Sequence, residues 1–377
     1  MKSTLLKMSK VSKSYPGVKA VDDVSIDLFS GEVLGLMGEN GAGKSTLIKM
    51  LSGAEVMDSG EIYINEHKVD INSPKSAQEN GVSVIYQELI TMDTLSVAEN
   101  IFVGQLPINK TTQLIDWKTA EKKSSDVLSL LNSKISPKSI VGTLSIYEKQ
   151  IVEVAKAIHK NAKVLIMDEP TAALSEKDSK SLFEVIDKLK IQGVGIIYIS
   201  HRIEEVFNIT DRVSVMRDGK FIGTKTTKGA EKKEIISMMI GRELNQFFPE
   251  IKSEKKGVVL KISDLNINGI IENINFEVHR GEIVGLFGLV GSGCLNIARS
   301  IIGIDEIDNG EIHIDGKKVA IKGPKNSMEN KIGFIPIDRK HEGLTLDFSV
   351  KQNLSLQSLE HLGSGFIIKD SIENSIA

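Results

Sequence analysis

The chain has 377 residues, with 47 basic and 50 acidic side chains for a formal net charge of -3, and a single cysteine. That near balance, with no Lys/Arg block, argues against nucleic acid as a main partner, and one cysteine excludes an internal disulfide framework and suits a reducing compartment. No run approaches the ~18 apolar residues that cross a bilayer, and Met1 to Pro16 lacks the apolar core of a signal peptide. The length therefore reads as two soluble α/β units in the cytoplasm, with any membrane role coming through a partner.

In chain order, Tyr15 is the first residue of interest, an aromatic side chain placed to stack on a base. Val33 to Met37 is a short apolar run that predicts a strand, and Lys44 to Leu51 has helical spacing. Between them lies Gly38-Glu39-Asn40-Gly41-Ala42-Gly43-Lys44-Ser45, followed by Thr46. Strand, glycine loop and helix in that order form a phosphate cradle. The glycines let backbone N–H groups close around phosphate oxygens, Lys44 neutralises β/γ charge, and the Ser45 hydroxyl ligates magnesium. The chemistry implied is that of Mg2+ and ATP.

The apolar run Val82 to Ile85 precedes Gln87, a candidate sensor of the metal and of the attacking water. Ile151, Val154, Ala155 and Ile158 share one helix face. Val164 to Met167 predicts a second buried strand ending at Asp168-Glu169, and Gly195 to Ile199 a third ending at Ser200-His201. Open α/β sheets bind ligands at such strand ends. Asp168 is expected to hold magnesium through water, Glu169 to orient or deprotonate the attacking water, and His201 to contact the γ-phosphate. Taken singly, each also fits a plainer role: a helix cap, a hydrogen-bonded histidine, a packed tyrosine. The set as a whole, beside the loop, carries the reading.

The chain then repeats. Gly31-Glu32 recurs at Gly281-Glu282, Gly60-Glu61-Ile62 at Gly310-Glu311-Ile312, and Pro74-Lys75 at Pro324-Lys325, all at an offset of 250. The same offset brings a second glycine loop, Gly288-Leu289-Val290-Gly291-Ser292-Gly293-Cys294-Leu295, in which Cys294 and Leu295 stand where Lys44 and Ser45 stood. A thiol and an isobutyl group do neither job. It also sets Leu265 opposite Tyr15 and Ile337 opposite Gln87. The expected organisation is a complete unit over 1–242, a polar linker over 243–257, and an incomplete, degenerate second copy over 258–377.

These motifs together resemble the ATP-binding subunits of ABC transporters, in particular the tandem type of bacterial sugar importers for ribose, galactose or related substrates. The resemblance rests on Tyr15, the loop at 38–46, Gln87, Leu144-Ser145, Asp168-Glu169-Pro170-Thr171 and Ser200-His201-Arg202. Asp338-Arg339-Lys340 with Gly343-Leu344 resembles a segment of the second half of such subunits. It implies a tandem P-loop NTPase fold and a peripheral subunit on the cytoplasmic face of the inner membrane. Hydrolysis of ATP would be coupled to import through a membrane permease and an extracytoplasmic binding protein. A nucleoside importer ATPase and a non-catalytic nucleotide-binding remnant remain alternatives.

Where the family signature reads Leu-Ser-Gly-Gly-Gln, this chain has Leu144-Ser145-Ile146-Tyr147-Glu148, so the phenol of Tyr147 is expected to fill space that glycine leaves open. The family commonly carries Arg-Thr at the Cys294-Leu295 pair, Glu at Ile337 and Asp at Ser175. Nucleotide in the family sits between the loop of one half and the signature of the other, which sets the altered Tyr147 region against the altered Cys294 loop. The Lys44 loop would need a signature lying beyond Ala377, from a missing C-terminal segment or a second ATPase chain.

Overall fold

The computed structural model describes residues 3–87, 89–241, 256–267, 269–289, 291–338, 342–364, 367–368 and 370–377. They fall into two compact units, Met1–Pro249 and Glu250–Ala377. Most of the expected linker, Val290 of the second loop, and Arg339 with Lys340 lie outside the described residues. No helix among the described residues is long and apolar enough to cross a membrane.

Unit 1 opens with the antiparallel strands β1 (Thr4–Tyr15) and β2 (Val18–Phe29), then strand β3 (Val33–Met37) and helix α1 (Lys44–Leu51). β4 (Ser59–Ile64), β5 (His67–Val69), α2 (Pro74–Glu79) and β6 (Val82–Ile85) follow. Three helices come next: α3 (Val97–Ile101), α4 (Trp117–Leu130) and α5 (Ile146–His159). The unit is completed by β7 (Val164–Asp168), α6 (Glu176–Ile191), β8 (Gly195–Ile199), α7 (Ile203–Ile209), β9 (Arg212–Arg217), β10 (Lys220–Thr226) and α8 (Lys232–Ile240).

A six-stranded sheet in the order β10-β9-β3-β8-β7-β6 forms the centre, parallel except for β10. Both its faces are covered, which is why its strands read as unbroken apolar runs. Val33 and Met37 of β3 enter the core beneath α3 to α6, while Leu34 and Leu36 enter the core shared with α1 and the sheet β2-β1-β4-β5. β7 divides the same way, Leu165 and Met167 to one side and Val164 and Ile166 to the other. Parallel pairing puts the C-terminal ends of β3, β8, β7 and β6 along one edge.

Unit 2 repeats the outer sheet. β11 (Val258–Ile267), β12 (Ile271–His279), β13 (Asn309–Ile314) and β14 (Lys317–Val319) pair in the order β12-β11-β13-β14, with helices α9 (Cys294–Ile301), α10 (Pro324–Glu329) and α11 (Val350–Ser355). The recurrent residues have structural work. Glu32 accepts the Phe29 N–H at 2.7 Å, and Glu282 accepts that of His279 at 2.8 Å, so Gly-Glu is a turn brace in both copies. Gly60 lies against the Lys10-Val11 backbone and Gly310 against Asp264-Leu265, where a side chain would collide.

Strand register corrects the expected alignment of Tyr15 with Leu265. Met8 pairs with Ile26 and Val11 with Val24, whereas Ile262 pairs with Phe276 and Leu265 with Ile274. Leu265 is therefore the counterpart of the buried Val11, and Ile267 that of Lys13. The second hairpin is four residues shorter, 262 − 8 against 276 − 26, and lacks the tip that carries Tyr15. Among the described residues the central sheet is not repeated either. Segments 283–287 and 332–335, which answer to β3 and β6, form no strand, and Ile283, Phe287 and Ile335 are 89%, 98% and 93% exposed. In unit 1 such segments bond to β7, β8 and β9; no described residues of unit 2 form counterparts to these strands. A lone strand leaves its backbone groups to water.

Candidate active site

The phosphate cradle is built by β3 running into α1. Gly41 and Gly43 sit at φ 85° and 97°, the left-handed region that side chains resist. Gly43 also abuts the Ala20 carbonyl of β2, and Gly38 abuts the Met216 carbonyl of β9, so neither position has room for a side chain. Lys44 folds across the loop, its Nζ donating to the carbonyls of Gly38 at 2.7 Å and Glu39 at 3.0 Å. Glu39, Asn40, Gly41 and Ser45 are exposed, Thr46 is half-buried and Ala42 is buried.

Two strands along the edge, β7 delivers the carboxylates. Burial pushes the Lys44 ammonium below its ordinary value, against the opposing pull of Asp168 and Glu169. Burial pushes the Asp168 carboxyl up, Glu169 adds to the rise, and Lys44 opposes it. Glu169 has φ 48°, a conformation costing a non-glycine residue on the order of 1–3 kcal/mol. Its N–H bonds to the Ile199 carbonyl at 2.9 Å, extending the β7/β8 pairing and turning the side chain to His201. His201 Nδ1 lies 3.1 Å from Glu169 Oε1. Lysine, two carboxylates and histidine are thus one electrostatic cluster over the glycine loop.

Gln87 is exposed, two residues beyond the end of β6. Tyr15 stands half-buried at the hairpin tip. Lys13 Nζ lies 5.8 Å from its ring centroid, held behind it by the Val56 carbonyl at 2.7 Å and Asp58 at 3.2 Å. One face of the ring is thereby occupied and its orientation fixed. Ser175 proves to be a helix cap, bonding Asp178 at the start of α6.

At the signature, the expectation for Tyr147 is corrected. The phenol packs inward on the core of unit 1, towards Ser181, and burial raises its pKa. What occupies the outer face is Ile146, 50% exposed, and Glu148, whose carboxylate accepts the Ser145 N–H at 2.8 Å in a capping box. Anionic Glu148 repels a phosphate approaching the start of α5.

In unit 2 the backbone of the cradle survives without its chemistry. Gly291 and Gly293 keep φ 87° and 85°, but Cys294 Sγ turns to Ser292 Oγ at 3.4 Å, and Leu295 and Ile337 are exposed apolar side chains. An ATP photoaffinity analogue should therefore label residues 288–295 scarcely, and the double substitution Cys294→Lys, Leu295→Ser should increase that labelling. Strong labelling of the unmodified loop would overturn the assignment.

Sequence reasoning missed Glu205 of α7. This buried carboxylate takes hydrogen bonds from Thr171 Oγ1 at 2.6 Å, Tyr198 OH at 3.0 Å, Ser200 Oγ at 3.2 Å and Arg202 Nη1 at 3.1 Å. An acidic residue in a helix's first turn reads as a favourable exposed charge; nothing local announces its burial. A cleft of about 320 Å3 opens beside the cradle rather than in it, lined by Val84, Tyr86, Ile90, Glu153, Lys156 and Lys160. Apolar strand side chains with mixed charges suit a polypeptide segment better than a triphosphate.

The family model described as ABC transporter matches residues 21–172 and 271–376. The ribose import ATP-binding protein RbsA of Geobacillus kaustophilus is 44% identical over 372 residues, covering 99% of this chain and 75% of the relative. A putative ribose/galactose/methyl galactoside import ATP-binding protein of Pseudomonas syringae pv. tomato is 43% identical over 364 residues, covering 96% and 69%. Among solved structures, the ADP conformation of MJ1267, an ATP-binding cassette of an ABC transporter, superposes with TM-score 0.55 at 25% identity, covering 63% of this chain and 99% of the other. A nucleotide-free ATP-binding cassette from an ABC transporter gives TM-score 0.55 at 26% identity, covering 63% and 96%.

Proposed function

The chain belongs to the ABC transporter family, and from that premise we propose that it is the ATPase subunit that energises import of a sugar, ribose, galactose or a related one. The observation that carries the reading is the single edge on which Lys44, Asp168, Glu169 and His201 converge above a glycine loop closely packed at Gly38 and Gly43. The loop N–H groups and Lys44 hold the β- and γ-phosphates, and Tyr15 presents its free ring face to the adenine. Glu169 takes the proton of the attacking water, and His201 both orients Glu169 and contacts the γ-phosphate.

The residues present fit a magnesium ion. The Ser45 hydroxyl is exposed at the head of α1 and Asp168 supplies a carboxylate, with Gln87 able to join from its loop. Ser45 and Asp168 would leave the remaining positions of the cation to phosphate oxygens and water. Bound there, magnesium supplies neutralisation of charge building on the phosphoryl oxygens. The partners are a membrane permease, seated in the cleft between β6 and α5, and through it an extracytoplasmic binding protein, with this chain on the cytoplasmic side of the membrane. A second ATPase chain, or a further ATPase segment, would close the Lys44 site. The domain reading stands alongside: catalysis in 1–242, a linker over 243–257, and a degenerate copy over 258–377.

Reconstitution with the permease that co-purifies tests this directly. Steady-state ATPase should rise when ribose or galactose is supplied with the cognate binding protein. Stimulation by a nucleoside instead would reassign the substrate class, and intact MgATP binding with no stimulated turnover would make the chain a non-catalytic nucleotide-binding subunit.

A further inference from the structure

Glu169 and His201 lie on different loops, one after β7 and one after β8, and each loop is short and begins at the sheet edge. The 3.1 Å contact between them requires that the two loops keep a fixed spacing. Both loops are tied to one buried carboxylate. Thr171, two residues beyond Glu169, donates to Glu205 Oε2 at 2.6 Å; Ser200, one residue before His201, donates to the same oxygen at 3.2 Å. Tyr198 OH, inside β8, adds a third bond to that oxygen at 3.0 Å, and Arg202, one residue after His201, donates to Oε1 at 3.1 Å. Ser200 Oγ also accepts the Arg202 N–H at 3.0 Å, which closes the turn around His201.

We propose that Glu205 is a positioning residue for hydrolysis: it braces the Glu169 and His201 loops as one unit and fixes the orientation of the water-activating pair. The proposal rests on the hydrolytic reading of Glu169 and His201. Its chemistry follows from the hydrogen-bond inventory. An ionised carboxylate only accepts, so it can collect three hydroxyl donors and a guanidinium with no competing donor of its own. Glutamine at the same place carries two N–H donors on one end, and one of the four bonds must break or reverse. The Thr171 and Ser200 hydroxyls share a single oxygen, so motion of one loop is felt by the other. Arg202, on the other oxygen, offsets the buried charge.

The test uses the full chain with its permease. Glu205→Gln, and separately Thr171→Val and Ser200→Ala, each releasing one tie, should lower kcat about tenfold or more while the Kd for MgATP, set by the Lys44 loop, changes less than about twofold. In a His201→Ala background Glu205→Gln should add little further loss, because the pair it orients is already broken. The imidazole resonances of His201 should move in Thr171→Val towards their positions in Glu169→Gln, because both variants loosen the 3.1 Å contact, a response that general loss of stability does not produce. Unchanged kcat in the single-tie variants, full additivity with His201→Ala, or unmoved His201 imidazole resonances in Thr171→Val would each overturn the brace. Hydrolysis that persists in Glu169→Gln would instead overturn the underlying site reading, so the two failures are distinguishable.

Discussion

Lys44→Ala should abolish measurable MgATP binding by unit 1 in calorimetry, while the fold of the unit is retained. Lys44 is a partly buried ammonium held by two loop carbonyls, Gly38 and Glu39, and facing the carboxylates of Asp168 and Glu169. Charge-assisted hydrogen bonds contribute about 1.5–3 kcal/mol each, and removal of the ammonium also leaves Asp168 and Glu169 unopposed beside an incoming polyanion. A loss of about a hundredfold or more in Kd, about 2.7 kcal/mol, is the expected scale. The corresponding loop of unit 2 carries Cys294 and Leu295 in place of the lysine and the serine. Normal affinity in the Lys44→Ala chain would show that the nucleotide site lies elsewhere. Native-like circular dichroism should accompany the loss, since the side chain's bonds stay within its own loop.

Glu169→Gln should separate binding from chemistry. The substitution keeps the shape of a side chain that sits at φ 48° and touches His201, and removes its negative charge and its capacity to take a proton. Turnover should fall by about 10²- to 10⁴-fold, the range of a positioned general base, with MgATP affinity equal to or above that of the unmodified chain because one negative charge near the γ-phosphate is gone. Single-turnover hydrolysis and equilibrium binding on the same preparation decide it. A parallel loss of affinity and kcat would mean that Glu169 holds nucleotide rather than activating water.

Much of this was legible in the residues themselves. The runs Val33 to Met37, Val164 to Met167 and Gly195 to Ile199 have no polar interruption because the sheet is covered on both faces, so each strand and the loop after it could be located before any contact was known. The spacing Gly38, Gly41, Gly43, Lys44 is tied to backbone conformation, which is local. The shortened second hairpin was also readable, since Lys7-Met8-Ser9 and Lys261-Ile262-Ser263 stand 254 apart rather than 250. The single-offset alignment missed it because an offset has no account of a deletion.

Other features depended on which elements meet. Tyr147 reads as an obstruction at the signature until α6 is seen to receive its ring, leaving Ile146 and Glu148 to face outward. The turn of Glu169 towards His201 arises from pairing of β7 with β8, two strands whose sequences are separated by a whole helix. Glu205 looks like an exposed helix charge until β8 and the Thr171 loop bury it. The apolar stretches at 283–287 and 332–335 are strand-like in composition, yet they form no strand without neighbours. The sequence by itself determined the family, the phosphate cradle and the loss of its chemistry in the second copy, because these reside in side-chain type and local backbone freedom. Only the tertiary structure decided which carboxylates are buried, which loops are tied together and which apolar segments become strands, because burial and backbone pairing are properties of residues distant in the chain.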